Sequence, residues 1–132
     1  MQHWAVILVV AAAAMLGACS EKPKIEGKII GHVVRPGGGA EAVITDTTNG
    51  GATISNSYRV YVKQIGEDKN PDDVLRAYRS YPPTVRWMDK RTLIVSLPCG
   101  EVDKFVNAAY LDEQHQFEMI FVKLENNKPD CW

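Results

Sequence analysis

Residues 52–65, "ATISNSYRVYVKQI", constrain the fold of this chain more than any other stretch. Ala52, Ile54, Tyr58, Val60 and Val62 fall on one parity, and Thr53, Ser55, Ser57, Arg59, Tyr61 and Lys63 on the other. Successive side chains of a strand point to opposite faces, so this alternation predicts one buried and one wet face, as in antiparallel sheets. Residues 25–35, "IEGKIIGHVVR", are rich in β-branched residues and run into the turn cluster "PGGGAE"; residues 42–48, "AVITDTT", predict a second strand. An NGG turn then leads into the alternating strand. A two-residue loop at Asn49-Gly50 would set Ile44 on the wet face. A three-residue loop, 49–51, pairs Ile44 with Asn56 and Ala42 with Tyr58, keeping both on the apolar face, with Gly51 left-handed.

Farther along, Asn70-Pro71-Asp72-Asp73 carries the marks of a helix start: a capping Asn, Pro at the first helical position and acids in the first turn. Val74, Leu75 and Tyr78 supply a small apolar face, and Pro82-Pro83 ends it, so the pattern predicts a helix over 71–80. "RTLIVSL" (91–97) predicts a strand, paired with "VRWMDKR" through a turn near Asp89-Lys90; "EMIFVKLE" (118–125) predicts the last strand. Residues 102–111 fit helical spacing at Val102, Phe105, Val106, Ala109 and Tyr110. They also fit a strand before a turn at 112–116, and strands on both sides favour the strand. The predicted class is α+β, mostly β: an antiparallel sheet or meander with one short helix.

The first 18 residues are of another kind. Residues 4–16 are almost wholly apolar. Thirteen residues make a helix of about 20 Å, too short for a spanning segment of roughly 20 residues but right for the core of a signal peptide. The n-region, "MQHW", lacks Lys and Arg, which leaves a buried N-terminal helix as the alternative. Leu16-Gly17-Ala18-Cys19 ends the run and resembles the lipobox of bacterial lipoproteins. That resemblance implies lipidation of the Cys19 thiol, cleavage before Cys19 and acylation of the new amine. Several acyl chains anchor a domain stably where one does not. Ser20, in place of Asp, implies the outer membrane, facing the periplasm. The implied organisation is a signal peptide (1–18), a lipidated tether (19–24) and a single β-rich domain (25–132).

The mature chain would hold 114 residues, enough for one domain with a modest core. All 15 Lys and Arg and all 16 Asp and Glu lie beyond residue 20, and the balance of −1 with no basic stripe disfavours a nucleic-acid partner. Two cysteines remain after Cys19, and an even pair in an exported chain predicts a Cys99–Cys131 disulfide. Closing that loop of 33 residues would contribute roughly 3.5–4 kcal/mol on chain-entropy grounds. A metal site is the alternative, but neither His32 nor His115 stands at ligand spacing from either cysteine.

"RPGGGAEAVI", "GGATISNSYRVYV" and "VRWMDKRTLIVSL" together resemble a group of small uncharacterised bacterial proteins with a Gly-Ala-Thr strand motif and a later Trp-x-Asp/Asn-x-x-x-Leu-x-Ile/Val. The resemblance spans about residues 34–97, departs at Arg35-Pro36-Gly37-Gly38, and implies an antiparallel β fold and no particular activity.

Chemistry-bearing signals are sparse. "RPGGGAE" lacks the Lys-Ser/Thr pair of a phosphate loop and reads as a hairpin turn. Thr53, Ser55 and Ser57 have no nucleophile elbow around them. The acids Asp72 and Asp73 suit a helix start, and Glu101 and Asp103 show no paired acid and base. No cofactor or metal is implied, and the pattern points to a non-enzymatic envelope protein. Tyr78, Tyr81 and Trp87 cluster with Arg76, Arg79 and Arg86 along "RAYRSYPPTVRW". Trp, Tyr and Arg dominate binding hot spots, so Arg79, Tyr81 and Arg86 are the candidate contact residues for an envelope partner. The plainer reading puts Trp87 and Tyr78 in the core with the arginines solvated. A second functional reading is an inhibitor or immunity-type lipoprotein blocking an attacking enzyme such as a lysozyme. The Ser-Gly-x-x-Tyr loop of membrane-bound lysozyme inhibitors is, however, absent.

Overall fold

A computed structural model of the chain describes residues 25–48, 56–66, 71–113 and 116–131. Nine strands order these residues: β1 (Lys28–Val34), β2 (Ala40–Asp46), β3 (Ser57–Gln64), β4 (Asp73–Tyr78), β5 (Thr84–Asp89), β6 (Thr92–Leu97), β7 (Glu101–Phe105), β8 (Ala108–Glu113) and β9 (Gln116–Asn126). They form two sheets. Sheet I has the order β1-β2-β3-β4-β7 and sheet II the order β5-β6-β9-β8. All pairings are antiparallel except β6 with β9, which run parallel, so sheet II is mixed. Ala42, Ile44, Val60, Val62, Val74 and Leu75 of sheet I and Leu93, Val95, Leu111, Ile120 and Val122 of sheet II belong to one buried cluster. The inner faces of the sheets therefore supply a single core between them, as sandwiches do.

The alternation in β3 is realised: Tyr58, Val60 and Val62 are buried on the inner side. The hairpin register differs from the sequence expectation. Ile44 pairs with Val60 and Ala42 with Val62, so both stand four residues farther along β3 than a three-residue loop would place them. The shift is even, which is why the same residues still face the core. Thr47 and Ser57 close the base of the hairpin, through a backbone bond of 2.8 Å and a hydroxyl pair of 2.8 Å. The expected turn at 49–51, with Gly51, lies outside the described residues. "RPGGG" does form a hairpin turn, closed by Arg35 N–H to Ala40 O and Gly38 N–H to Arg35 O, both at 3.0 Å.

The helix expected over 71–80 is not formed: residues 73–78 are strand β4, between β3 and β7. Two facts explain the difference. The capping pattern is a local signal, and pairing on both edges outweighs it. The apparent helical face is also a bulge in disguise. Val60 pairs with Leu75 but Tyr61 with Asp73, leaving Val74 as the extra residue. A bulge lets Val74 and Leu75 both enter the core, which period two alone forbids.

Residues 102–111 are extended, but as two strands in different sheets. β7 closes sheet I, the chain crosses at Val106-Asn107, and β8 forms the edge of sheet II. The expected pairing of "VRWMDKR" with "RTLIVSL" is the β5–β6 hairpin, and the last strand is β9. Cys99 and Cys131 lie at disulfide distance. The contact is flanked by Asn127 N–H to Leu97 O and Gly100 N–H to Lys128 O, so the exits of the parallel strands β6 and β9 are clamped together. Gly100 has φ +135°, and a Cβ there would lie 2.8 Å from Ser80 Cα, so only glycine fits beside the clamp.

Candidate functional site

The bulge at Val74 has a second consequence. It turns Asp73 to the outer face of sheet I, across from Tyr61. A further bulge between β4 and β7 pairs Arg76 with Lys104 but Ala77 with Val102, so Asp103 is extra and both Asp103 and Lys104 stand beside Arg76. The two irregularities gather a charge cluster on one carboxylate. Asp73, only 5% exposed, accepts from Lys104 Nζ at 2.8 Å and from Arg76 Nε at 3.0 Å and Nη2 at 3.3 Å. Arg59 Nη1 stands 3.7 Å away and reaches Glu26 at 3.1 Å, and Arg76 also faces Asp103 at 3.8 Å. Burial pushes the Asp73 carboxyl up, but the hydrogen bonds and charges of Lys104 and Arg76 outweigh it and hold the group below the usual aspartate range.

Beside this cluster, at the crossing from β7 to β8, opens a cleft of about 340 Å³. Val62, Val74, Val106, Ala109 and Tyr110 supply its apolar wall, and Asp72, Asp73 and Lys104 its polar edge. The volume is at the small end of ligand pockets. Asp73 is already committed to three cations, so it is not poised as a base. Its arrangement holds β3, β4 and β7 in register and shapes one wall of the cleft.

The residues singled out from sequence fall in several places. Arg79 and Tyr81 lie on the crossing from β4 to β5, both exposed, with Arg79 at φ 50° where the chain leaves β4. Arg86 sits on β5, its guanidinium bonded to both carboxylate oxygens of Glu125, at 3.1 and 3.2 Å, and 3.4 Å from Ser96 Oγ. Glu125 in turn holds the Arg86 cation more firmly, raising its pKa through hydrogen bonding and charge. Trp87 packs against the core and donates Nε1–H to Val33 O at 2.9 Å, joining sheet II to strand β1 of sheet I, while Tyr78 is half-buried. His32 is exposed on β1, 3.2 Å from Glu41. The expected helix-capping role of Asp72 and Asp73 has no helix to serve. Cys19, Thr53, Ser55 and His115 lie outside the described residues. Among the described residues, no three His, Cys, Asp or Glu side chains are grouped to hold a metal ion, and no helix is long and apolar enough to cross a membrane.

One surface was not anticipated from the sequence. Phe117, Met119 and Phe121 of β9 point outward from sheet II, opposite in parity to the buried Ile120 and Val122. Tyr110 pairs with Met119 from the edge strand β8, and Met88 is exposed at the bulge where β5 meets β6. Phe117 is 80% exposed and Tyr110 72%. The signal was present in "QFEMIFVKLE": two apolar sets of opposite parity overlap, and only one of them can face the core. Comparison of the chain with protein-family models, curated proteins and solved structures finds no match.

Proposed function

We propose that this chain is a lipid-anchored protein of the bacterial cell envelope whose sandwich domain works by surface contact and not by catalysis. The observation that carries the reading is Leu16-Gly17-Ala18-Cys19 at the end of a short apolar run. The Cys99–Cys131 contact supports it independently, because such pairs persist in oxidising compartments. Lipid on Cys19 would hold the domain at the outer membrane, facing the periplasm. There the site is a surface: the Arg79–Tyr81 crossing, with Arg86 on β5, would meet an envelope partner. The charge cluster at Asp73 fits this role as scaffold, since its carboxylate is spent on Arg59, Arg76 and Lys104. Labelling cells with radioactive palmitate tests the anchor: wild type should take up label and sediment with membranes, and Cys19→Ser should do neither. Unlabelled wild type that keeps residues 1–18 would overturn the reading.

A further inference from the structure

We infer that the free edge of β8 takes up an extended basic segment of a partner protein as a fifth strand of sheet II, with one Lys or Arg side chain of that segment lying in the cleft. The site is separate from the Arg79–Tyr81 surface and does not depend on the lipid anchor. β8 is the last strand of sheet II, and its pairing with β9 fixes which of its backbone groups are used. Val122 N–H donates to Asn107 O at 2.8 Å, and Phe121, opposite Ala108, turns its own N–H the other way, to Arg91 O at 2.7 Å. Backbone groups alternate in direction along an antiparallel strand. The N–H and C=O of Ala108 and Tyr110 therefore point away from β9, and among the described residues no other strand meets them.

The other edges of the two sheets are guarded. β1 breaks register between Ile29 and Gly31 and gives Val33 O to the Trp87 indole. β5 breaks register between Trp87 and Asp89, and β7 carries the extra Asp103. Bulges and charges are the usual means by which an edge strand avoids pairing. β8 runs in unbroken register against β9, and its first four residues, Ala108 to Leu111, hold no charge and no proline. Among the described strands it is the edge built to accept another.

The cleft lies along this edge, between Ala108, Ala109 and Tyr110 on one side and the start of β4 and end of β7 on the other. Sheet I has five strands to the four of sheet II, and β8 packs over β3, so an added strand would run on the side of β4 and β7. Opposed residues of paired strands share a face. The added residue across from Ala109, which packs on the core, therefore turns toward Val62, Val74 and Val106. Charge decides the occupant. Lys104 is bonded to Asp73, whereas Asp72, exposed at the rim, has no hydrogen bond or ion pair among the described residues. A Lys or Arg side chain fits both features, covering the apolar wall with its stem and reaching the carboxylate with its cation. A second copy does not fit. Its β8, paired antiparallel about Tyr110, would bring the acidic end Asp112-Glu113 alongside Ala108 and Asp72, and like charges set together repel.

The test titrates the full chain, in mild detergent, with a capped hexapeptide alternating valine and lysine, and follows amide hydrogen exchange by NMR. At about nine-tenths occupancy, exchange at the Ala108 and Tyr110 amides should slow about tenfold, while Ala109, already bonded to β9, should change little. Methylating alternate backbone nitrogens of the peptide should abolish binding in one phase and spare it in the other, because only every second N–H of an added strand faces its neighbour. Asp72→Asn, an exposed change that leaves the fold intact, should weaken binding about threefold, and glutamate in place of lysine in the peptide should weaken it further. No binding at millimolar peptide overturns the inference, as does binding that leaves Ala108 and Tyr110 unprotected or survives methylation in both phases. Equal affinity for the lysine and glutamate peptides, or for wild type and Asp72→Asn, overturns the basic occupant. Protection at Ala108 and Tyr110 that is present without peptide and grows with protein concentration means that a second copy takes the edge, and also overturns it.

Discussion

The outer faces of the two sheets have solved the same problem differently. Sheet I turns outward a carboxylate ringed by Arg59, Arg76 and Lys104, with Tyr61 buried among them. Sheet II turns outward phenylalanine, methionine and tyrosine at one end and the Arg86–Glu125–Ser96 group at the other. In sheet I the polar groups satisfy one another, and two bulges supply the geometry. In sheet II the outward apolar groups of β8 and β9 stay exposed, Phe117 and Tyr110 most of all. A face knitted by its own bonds contributes to stability, whereas an apolar face left in water contributes to contact. The clamps differ too: sheet I is held by ionic bonds across β3, β4 and β7, and sheet II by Cys99–Cys131 at the exits of its parallel pair.

The largest effect should come from removing that clamp. Cys131→Ala frees a loop of 33 residues and should cost roughly 3.5–4 kcal/mol, read as a lower urea midpoint. Hydrogen exchange should rise first in β6 and β9 and later in β2 and β3. Uniform acceleration across both sheets would erase the contrast drawn between them. Gly100→Ala should resemble it in location, because the added Cβ would meet Ser80 beside the clamp in a backbone conformation alanine resists.

Next in size is the charge cluster. Asp73→Asn keeps the shape but removes the charge that three cations share, and should cost about 2–3 kcal/mol at neutral pH. That is less than a fully buried pair because Arg76 and Lys104 are each about a third exposed. The pH dependence has a definite sign. The folded-state pKa of Asp73 is depressed, so its contribution is complete above the ordinary aspartate value of about 4. It is lost as the pH falls through the lower folded value. Wild type and Asp73→Asn should therefore differ above pH 4 and converge below it; parallel stability curves down to low pH would remove Asp73 from this role.

Most strands of this fold could be read in the sequence, because period two is visible wherever one face is apolar. β3 announced itself in this way, and β5, β6 and β9 as short apolar runs bounded by turn signals. β4 did not, since its bulge brings Val74 and Leu75 inward together and makes three residues look helical. Nor was the division into two sheets legible. The parallel β6–β9 pairing joins segments more than twenty residues apart, and nothing local in either strand records it. The charge cluster was hidden for the same reason: the sequence neighbours of Asp73 spell a helix start, and its partners Arg59 and Lys104 come from other strands. Cys99 and Cys131 were legible because cysteine parity is a global signal, independent of local geometry.

The smallest expected effect is the most telling for the comparison. Phe117→Ser deletes a large apolar side chain, a change that costs several kcal/mol in a core. At 80% exposure there is little buried area to lose, and the stability of the domain in solution should move by no more than about 0.5 kcal/mol. Tyr110→Ser should behave alike, and neither change should alter the acid response carried by Asp73 on the other sheet. Thermal unfolding of the two variants beside wild type checks this. A loss above about 2 kcal/mol for Phe117→Ser would mean that the side chain is packed within the domain, and the outer face of sheet II would then be structural like that of sheet I. An unchanged midpoint would show that the aromatic face contributes nothing to the stability of its own domain, which separates it from the outer face of sheet I.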